Sequence, residues 1–197
     1  MRYDVRIRHI SDEDWDGIAT LEAGAYTGDG LSEGRAALQS RAHASPATCF
    51  VLDCEKRLAG YLLALPYPMF EYPDLNRMED IVFHSRNLHL HDLVIAEEFR
   101  CRGLAKHLLH HFTAVAGAKG YEGISLIAVS GSDDFWSANG YRAHHEFAPP
   151  RGYGADAVYM SRAVPGAVAV VARPPRITGQ PSANDPLYGA PLEDEVG

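Results

Sequence analysis

Six consecutive residues stand out for their chemistry: Arg100-Cys101-Arg102-Gly103-Leu104-Ala105. They follow the apolar run Leu93-Val94-Ile95 and open a strongly helical stretch. A strand that runs straight into a helix offers the unpaired N–H groups of the first turn, and the positive end of the dipole, to an anion. Gly103 lets a ligand's phosphates approach the backbone. Ala105 keeps the first turn slim, and Arg100 and Arg102 add charge suited to a pyrophosphate. The spacing is not the glycine pattern of a dinucleotide fold, nor a phosphate loop ending in Gly-Lys-Ser/Thr. The residues by themselves point to a phosphate-bearing ligand. The bland alternative is an ordinary strand–helix junction with two surface arginines.

The segment resembles the signature of the GNAT superfamily of N-acetyltransferases. That signature is Arg or Gln, two residues, Gly, one residue, then Gly or Ala, and Arg100, Gly103 and Ala105 fit it. A second family feature, aromatics shortly before a Gly-aromatic pair, is matched by Phe135-Trp136-Ser137-Ala138-Asn139-Gly140-Tyr141. The resemblance implies an acyltransferase that uses acetyl-CoA as co-substrate. Backbone groups of Leu93, Val94 and Ile95 would pair with the pantetheine arm, and amides of Arg100, Cys101, Arg102, Gly103, Leu104 and Ala105 would hold the pyrophosphate. Phe135 and Trp136 would complete the cofactor site. A backbone N–H near Val94 or Ile95 would polarise the thioester carbonyl. The acceptor would be a small-molecule or peptide amine that attacks directly in a ternary complex, so proximity does much of the work.

An amine must be neutral to attack. A lysine-like amine has a pKa of about 10.4, which leaves roughly one molecule in 2,000 to 3,000 neutral at pH 7 and costs about 4 to 5 kcal/mol unless a base helps. The base candidates lie on one predicted strand: His91 and Asp92 first, His89 behind them. Simple alternation places His89 and His91 on the face of Leu93 and Ile95, with Asp92 on that of Leu90 and Val94, although family members commonly bulge here. Trp136 stands where many members carry a tyrosine that protonates the leaving thiolate. An indole cannot do so, which leaves Ser130, Ser132, Tyr141, Tyr153 or departure as the thiolate. Other candidates are weaker. His107, His110 and His111 read as a solvated helix face rather than a metal site, and no metal is expected. Cys101 reads as a loop residue rather than a nucleophile. Tyr67, Phe70 and Tyr72 read equally as an acceptor lid or a packed loop.

These residues need positioning elements. Residues 3–9 alternate as a half-buried strand. Ser11 before three acids signals a helix start, and a second helix runs through 33–42. Residues 48–53 and 57–65 form a hairpin, 66–86 a long loop, and 87–95 a strand. The stretch 102–119 is helical, with Leu104, Ala105, Leu108, Leu109, Phe112, Val115 and Ala116 on one face. Strand 123–129, a short helix at 132–138 and strands near 141–147 and 155–163 complete the domain. The fold class is α/β: a mixed, mostly antiparallel central sheet flanked by helices, as in GNAT proteins. Residues 1–163 form the acyltransferase domain. Residues 164–197 form a Pro/Gly-rich tail whose first part, AVAVVA, is apolar enough to pack on the body.

Composition sets the outer bounds. The chain has 197 residues, 46% hydrophobic and 22% charged, which is ordinary for a globular protein. A net charge of −8 disfavours nucleic acid as a partner and leans toward cations. Three cysteines without paired spacing argue for a reducing compartment and no disulfide framework. No apolar run reaches the roughly 18 residues of a membrane helix, and the N-terminus lacks a signal-peptide core. The expectation is a cytoplasmic protein with no membrane partner, for which a homodimer stays open. Two other readings remain: a non-catalytic acyl-CoA-binding module, and a transferase of a longer acyl group.

Overall fold

The computed structural model describes residues 4–28, 30–147 and 152–166. Its chain order is β1 (Val5–His9), α1 (Trp15–Ala25), α2 (Arg35–Ala44), β2 (Phe50–Cys54), β3 (Arg57–Pro66), β4 (Asn87–Ile95), α3 (Leu104–Ala118), β5 (Gly123–Ala128), α4 (Asp133–Ala138), β6 (Arg142–Ala143) and β7 (Val158–Ala163). The described strands form one sheet in the order β1-β2-β3-β4-β5-β7-β6. All neighbours are antiparallel except β4 and β5, which run parallel. This is the mixed, mostly antiparallel sheet expected from the sequence.

The strands alternate their apolar residues between two layers, as a sheet covered on both faces must. Phe50, Leu52, Leu62, Ala64, Leu88 and Leu90 meet Leu104, Leu108, Phe112 and Ala116 of α3. Val51, Tyr61, Leu63 and Val94 meet Trp15 and Ile18 of α1 and Leu38 and Ala42 of α2. The long helix therefore buries the face that its sequence period marked, and Gly120, at φ 79°, ends it.

Local details differ from the sequence reading. Thr48 is not in a strand: residues Pro46–Thr48 form a 3-10 turn, because the Thr48 hydroxyl donates to the Ala64 carbonyl at 2.6 Å. Ahead of α1, Ser11 stands at the N-cap as expected, but of a short 3-10 turn, Asp12–Asp14, that precedes the helix. Asp14 accepts from both the Ser11 amide and the Ser11 hydroxyl, each at 2.8 Å, and Arg8 holds both of its oxygens. The β2–β3 hairpin turns on Glu55 and Lys56, both at positive φ. Near 141–147 the strand is reduced to two residues. Of the expected loop 66–86, Pro66 ends β3, and residues 67–86 carry no helix or strand. Tyr67 and Phe70 are buried, and Phe70 packs against Tyr159 and Phe147, so of the two readings this part of the loop is packed. The apolar AVAVVA segment lies outside the described residues.

Candidate functional site

The parallel pairing of β4 with β5 is short. It runs only from Asn87↔Gly123 to His89↔Ser125. Beyond it β4 stays with β3 as far as Ile95↔Gly60, while β5 stays with β7 as far as Ala128↔Val158. The sheet therefore parts along its middle, and a cleft of about 520 Å³ opens there. Leu90–Ile95 line one wall; Leu126, Ile127 and Val129 line the other. The cause is visible in the register. Leu63 pairs with Asp92 but Ala64 with Leu90, so His91 is an extra residue on β4. Such a bulge bends and twists the strand that carries it. Gly60 holds β3 tight against the far edge of β4, since a Cβ there would come within 2.5 Å of the Val94 carbonyl oxygen.

The bulge also corrects the alternation drawn from sequence. Leu88 and Leu90 face the α3 layer, and so do Leu93 and Ile95. His91, Asp92 and Val94 all face the α1–α2 layer, as shown by their partners Glu33, Tyr26, Tyr61 and the Trp15 cluster. His91 thus does not share a face with Leu93 and Ile95, because the extra residue inverts the parity.

At the mouth of the cleft, a 3-10 turn (Glu97–Phe99) leads into the Arg100–Gly103 loop. Phe99 anchors it in the core, with the guanidinium groups of Arg57 and Arg102 stacked over its ring at 5.1 and 5.4 Å. Arg100 Nε donates to the Ile95 carbonyl at 3.1 Å, and Arg102 donates to the Glu98 carbonyl at 2.7 Å. Cys101 and Gly103 are both left-handed, at φ 59° and 77°. Gly103 precedes a helix whose start has no side-chain cap, and a Cβ there would meet open space. The first-turn amides of α3 are therefore available to an outside acceptor. Arg100 and Ala105 line the cleft, as do Leu93, Val94, Ile95, Phe135 and Trp136. Cys101, Arg102 and Gly103 are exposed on the loop, whereas the Leu104 side chain is buried in the core.

His91 and Asp92 also line the cleft. Asp92 is buried and accepts hydrogen bonds from Tyr26 at 2.7 Å and from Tyr61. Burial pushes its carboxyl above the usual range, although the two hydroxyls and His91 pull the other way. His91 Nε2 pairs with Glu33, while Nδ1 is buried with no partner. Burial alone would raise the Glu33 carboxyl, but His91 and Arg41 beside it hold it below its ordinary value. Arg41, fully buried, also reaches Glu79. His89 is separate: it sits by the Ser125 hydroxyl at 3.2 Å, and burial drives its pKa far down, so it is neutral.

Sequence reasoning missed Tyr26, Tyr61, Glu33 and Arg41. Of the proton donors it named, Ser130 and Ser132 line the cleft. Tyr141 is buried between Trp136 and Arg162, and Tyr153 donates to the Pro73 carbonyl at 2.8 Å. Among the described residues no group of three His, Cys, Asp or Glu side chains is placed to hold a metal ion, and no helix is long and apolar enough to cross a membrane.

Over residues 15–144 the chain matches the acetyltransferase (GNAT) family. Solved structures share its fold. Ard1 from Thermoplasma volcanium is 17% identical, covering 81% of this chain and 97% of its own, with a TM-score of 0.65. The GphF GNAT-like decarboxylase, solved with isobutyryl-CoA, is 21% identical over 81% of this chain and 99% of its own, with a TM-score of 0.65. N-acetylglutamate synthase from Neisseria gonorrhoeae, solved with coenzyme A and N-acetyl-glutamate, is 15% identical over 83% of this chain but only 36% of its own, with a TM-score of 0.64. No curated protein matches the chain by sequence.

Proposed function

The chain belongs to the acetyltransferase (GNAT) family, and on that premise we propose that it moves the acetyl group of acetyl-CoA onto a primary amine. One observation carries the reading: the parted edge of β4 leads into an uncapped helix start, with an ionisable pair, His91 and Asp92, on the same cleft. An open strand edge suits the amides of a pantetheine arm, by the logic of strand addition. Uncapped N–H groups beside an open Gly103 suit a pyrophosphate. The residues present therefore fit CoA.

Bound acetyl-CoA would supply a thioester, an acyl group already activated toward nitrogen. The chain's own work is to hold and to polarise. Amides of Arg100–Ala105 grip the phosphates, and Leu93, Val94 and Ile95 align the arm. A Val94 or Ile95 N–H stabilises the developing oxyanion. His91 or Asp92 handles the proton of the amine. Residues 1–163 form the working domain, in a cytoplasmic setting, and the acceptor is a small-molecule or peptide amine rather than a nucleic acid or membrane. The net charge of −8 favours a cationic partner.

A second reading, transfer of a longer acyl group, draws on the isobutyryl-CoA bound by one relative of the same fold. An acyl-chain panel separates the two. Trp136 in place of a tyrosine motivates a third, a CoA-binding module without turnover.

Thermal unfolding with and without acetyl-CoA tests the cofactor site, with Gly103→Glu as the comparison. Ligand at about 100 times Kd adds roughly 2.7 kcal/mol to the native state. The parent should shift, and the folded variant should not. No shift in the parent at millimolar acetyl-CoA rejects the reading. A shift without CoA release on any amine favours the binding module.

A further inference from the structure

Beside the main cleft lies a smaller cavity of about 30 Å³. It shares Tyr26, His91 and Asp92 with the cleft and adds Glu33, with Leu31 and Leu75 as apolar wall. That is room for about one water-sized group. Its electrostatics are one-sided. Asp92 and Glu33 both line it, and Glu22 is buried just behind, accepting from the Glu33 amide. Against these carboxylates stands one buried guanidinium, Arg41, which is shared with Glu79. Buried charge of one sign is costly unless it is matched.

The second observation is independent of the acids. His91 has a side chain only 2% exposed, it lines the cavity, and its Nδ1 has no partner. Glu33 takes Nε2. A carboxylate only accepts, so Nε2 carries the hydrogen and Nδ1 presents its lone pair. Asp92 differs, because each of its oxygens already accepts a tyrosine hydroxyl. The imidazole is the group with a free acceptor, and the carboxylate is a fixed charge beside it.

We propose that this cavity seats the nitrogen of an unbranched primary alkylamine and that His91 Nδ1 takes its proton, with Glu33 as the positioning residue that fixes the ring. The proposal rests on the acetyl-CoA reading above. The substrate class follows from the walls. One nitrogen fits between the acids, with Leu31 and Leu75 as apolar wall beside it, and the alkyl chain that follows must leave through the cleft. An α-amino acid would bring its own carboxylate toward Glu33 and Asp92 and be repelled, and a carbon branch beside the nitrogen has no room. The ammonium gives one proton to Nδ1. The freed lone pair forms the C–N bond at the thioester carbonyl carbon, the C–S bond breaks, and the second amine proton leaves with the sulfur. The proton on His91 passes to solvent through the cleft. Titratable and charged groups around His91 are Glu33 ahead of α2, Arg41 on α2, Tyr26 at the end of α1, His89 and Asp92 on β4, and Tyr153 ahead of β7 across the small cavity.

The test is CoA release by the full chain with n-butylamine, 1,4-diaminobutane, sec-butylamine and glycine, with acetyl-CoA affinity measured separately by thermal shift. The two straight-chain amines should be turned over, and kcat/KM for sec-butylamine and glycine should fall by about tenfold or more. His91→Gln, which keeps the Glu33–Arg41 pair, should lower kcat by about 10² to 10⁴ with the acetyl-CoA shift unchanged. Glu33→Gln should lower kcat about ten- to a hundredfold. Glu33→Asp, which keeps a carboxylate for Nε2, should restore much of that loss. Equal use of glycine or sec-butylamine overturns the proposal. So does an undiminished His91→Gln, a Glu33→Asp no better than Glu33→Gln, or acetyl-CoA binding with no amine turned over. A parent that fails to bind acetyl-CoA defeats the function reading itself, and the separate affinity measurement tells that failure from this one.

Discussion

On its α3 side the cleft offers main chain: an open strand edge and the amides that begin a helix, around a left-handed Gly103. On its α1–α2 side it offers side chains: His91 on Glu33, Glu33 on Arg41, Arg41 on Glu79, and Asp92 under two tyrosines. The first wall can hold any ligand that brings phosphates and amides in the right order. The second is specific, since a buried polar atom that waits for a partner, as His91 Nδ1 does, discriminates strongly against a ligand that leaves it unpaired. A scaffold of this kind can keep its first wall and exchange its second, which is how one fold serves many acceptors.

The largest expected effect is on the side-chain wall. Arg41→Met leaves Glu33 and Glu79 buried without their counter-charge. Removing one partner of a buried pair costs about 3 to 5 kcal/mol, and urea unfolding reads it directly. The comparison predicts more: amine turnover should collapse while any variant that remains folded still takes up acetyl-CoA. A loss of less than about 1 kcal/mol would mean that this wall is not held by its charges.

The next effect belongs to neither wall. Arg8 ties β1 to Asp14 ahead of α1 and to Asp53 on β2. The hydrogen bond and charge of Arg8, outweighing partial burial and helped by Ser11, bring the Asp14 carboxyl down to about 2. A depressed carboxyl contributes stability above its unfolded value, near 3.8, and loses it as pH falls through about 2. Asp14→Asn should therefore cost about 2 kcal/mol at pH 6 and almost nothing near pH 2, as read from urea midpoints. Acetyl-CoA affinity and amine KM should not move. If either does, the two walls are coupled through the body of the sheet.

The two walls also differ in how far the sequence disclosed them. The proposed phosphate loop is six consecutive residues at a strand–helix junction, so local chemistry announces it: Arg100, Gly103 and Ala105 sit where a helix must begin, and the structure begins it there. His91 and Asp92 could be nominated because they lie on one strand. Their partners could not, since Tyr26 is 66 residues from Asp92 and Glu33 is 58 from His91. Nothing local in Tyr26 or Glu33 marks them; only the packing of α1 and α2 on β4 does. The facing of His91 failed for a related reason. Strict alternation holds for a regular strand, and the extra residue at His91 is set by pairing with β3, a segment about 30 positions away. The β2–β3 hairpin, by contrast, was legible from spacing although Glu55-Lys56 is not a favoured turn pair.

The smallest expected effect bears on the main-chain wall. At Gly103 a Cβ meets nothing within 4 Å, so Ala fits sterically in the empty protein, but its φ of 77° is the left-handed region. Gly103→Ala should therefore cost only about 1 kcal/mol of stability. The added methyl group would enter the space beside the first-turn amides, where the proposed function places the phosphates. Acetyl-CoA affinity should fall while the preference for straight-chain over branched amines, which the proposal places on the other wall, stays where it was. Thermal shift titration and a kcat/KM profile on the same variant measure both. A variant that binds acetyl-CoA as well as the parent would move the phosphate site away from Gly103. One whose amine preference also shifts would show that the main-chain wall and the side-chain wall are one unit rather than two.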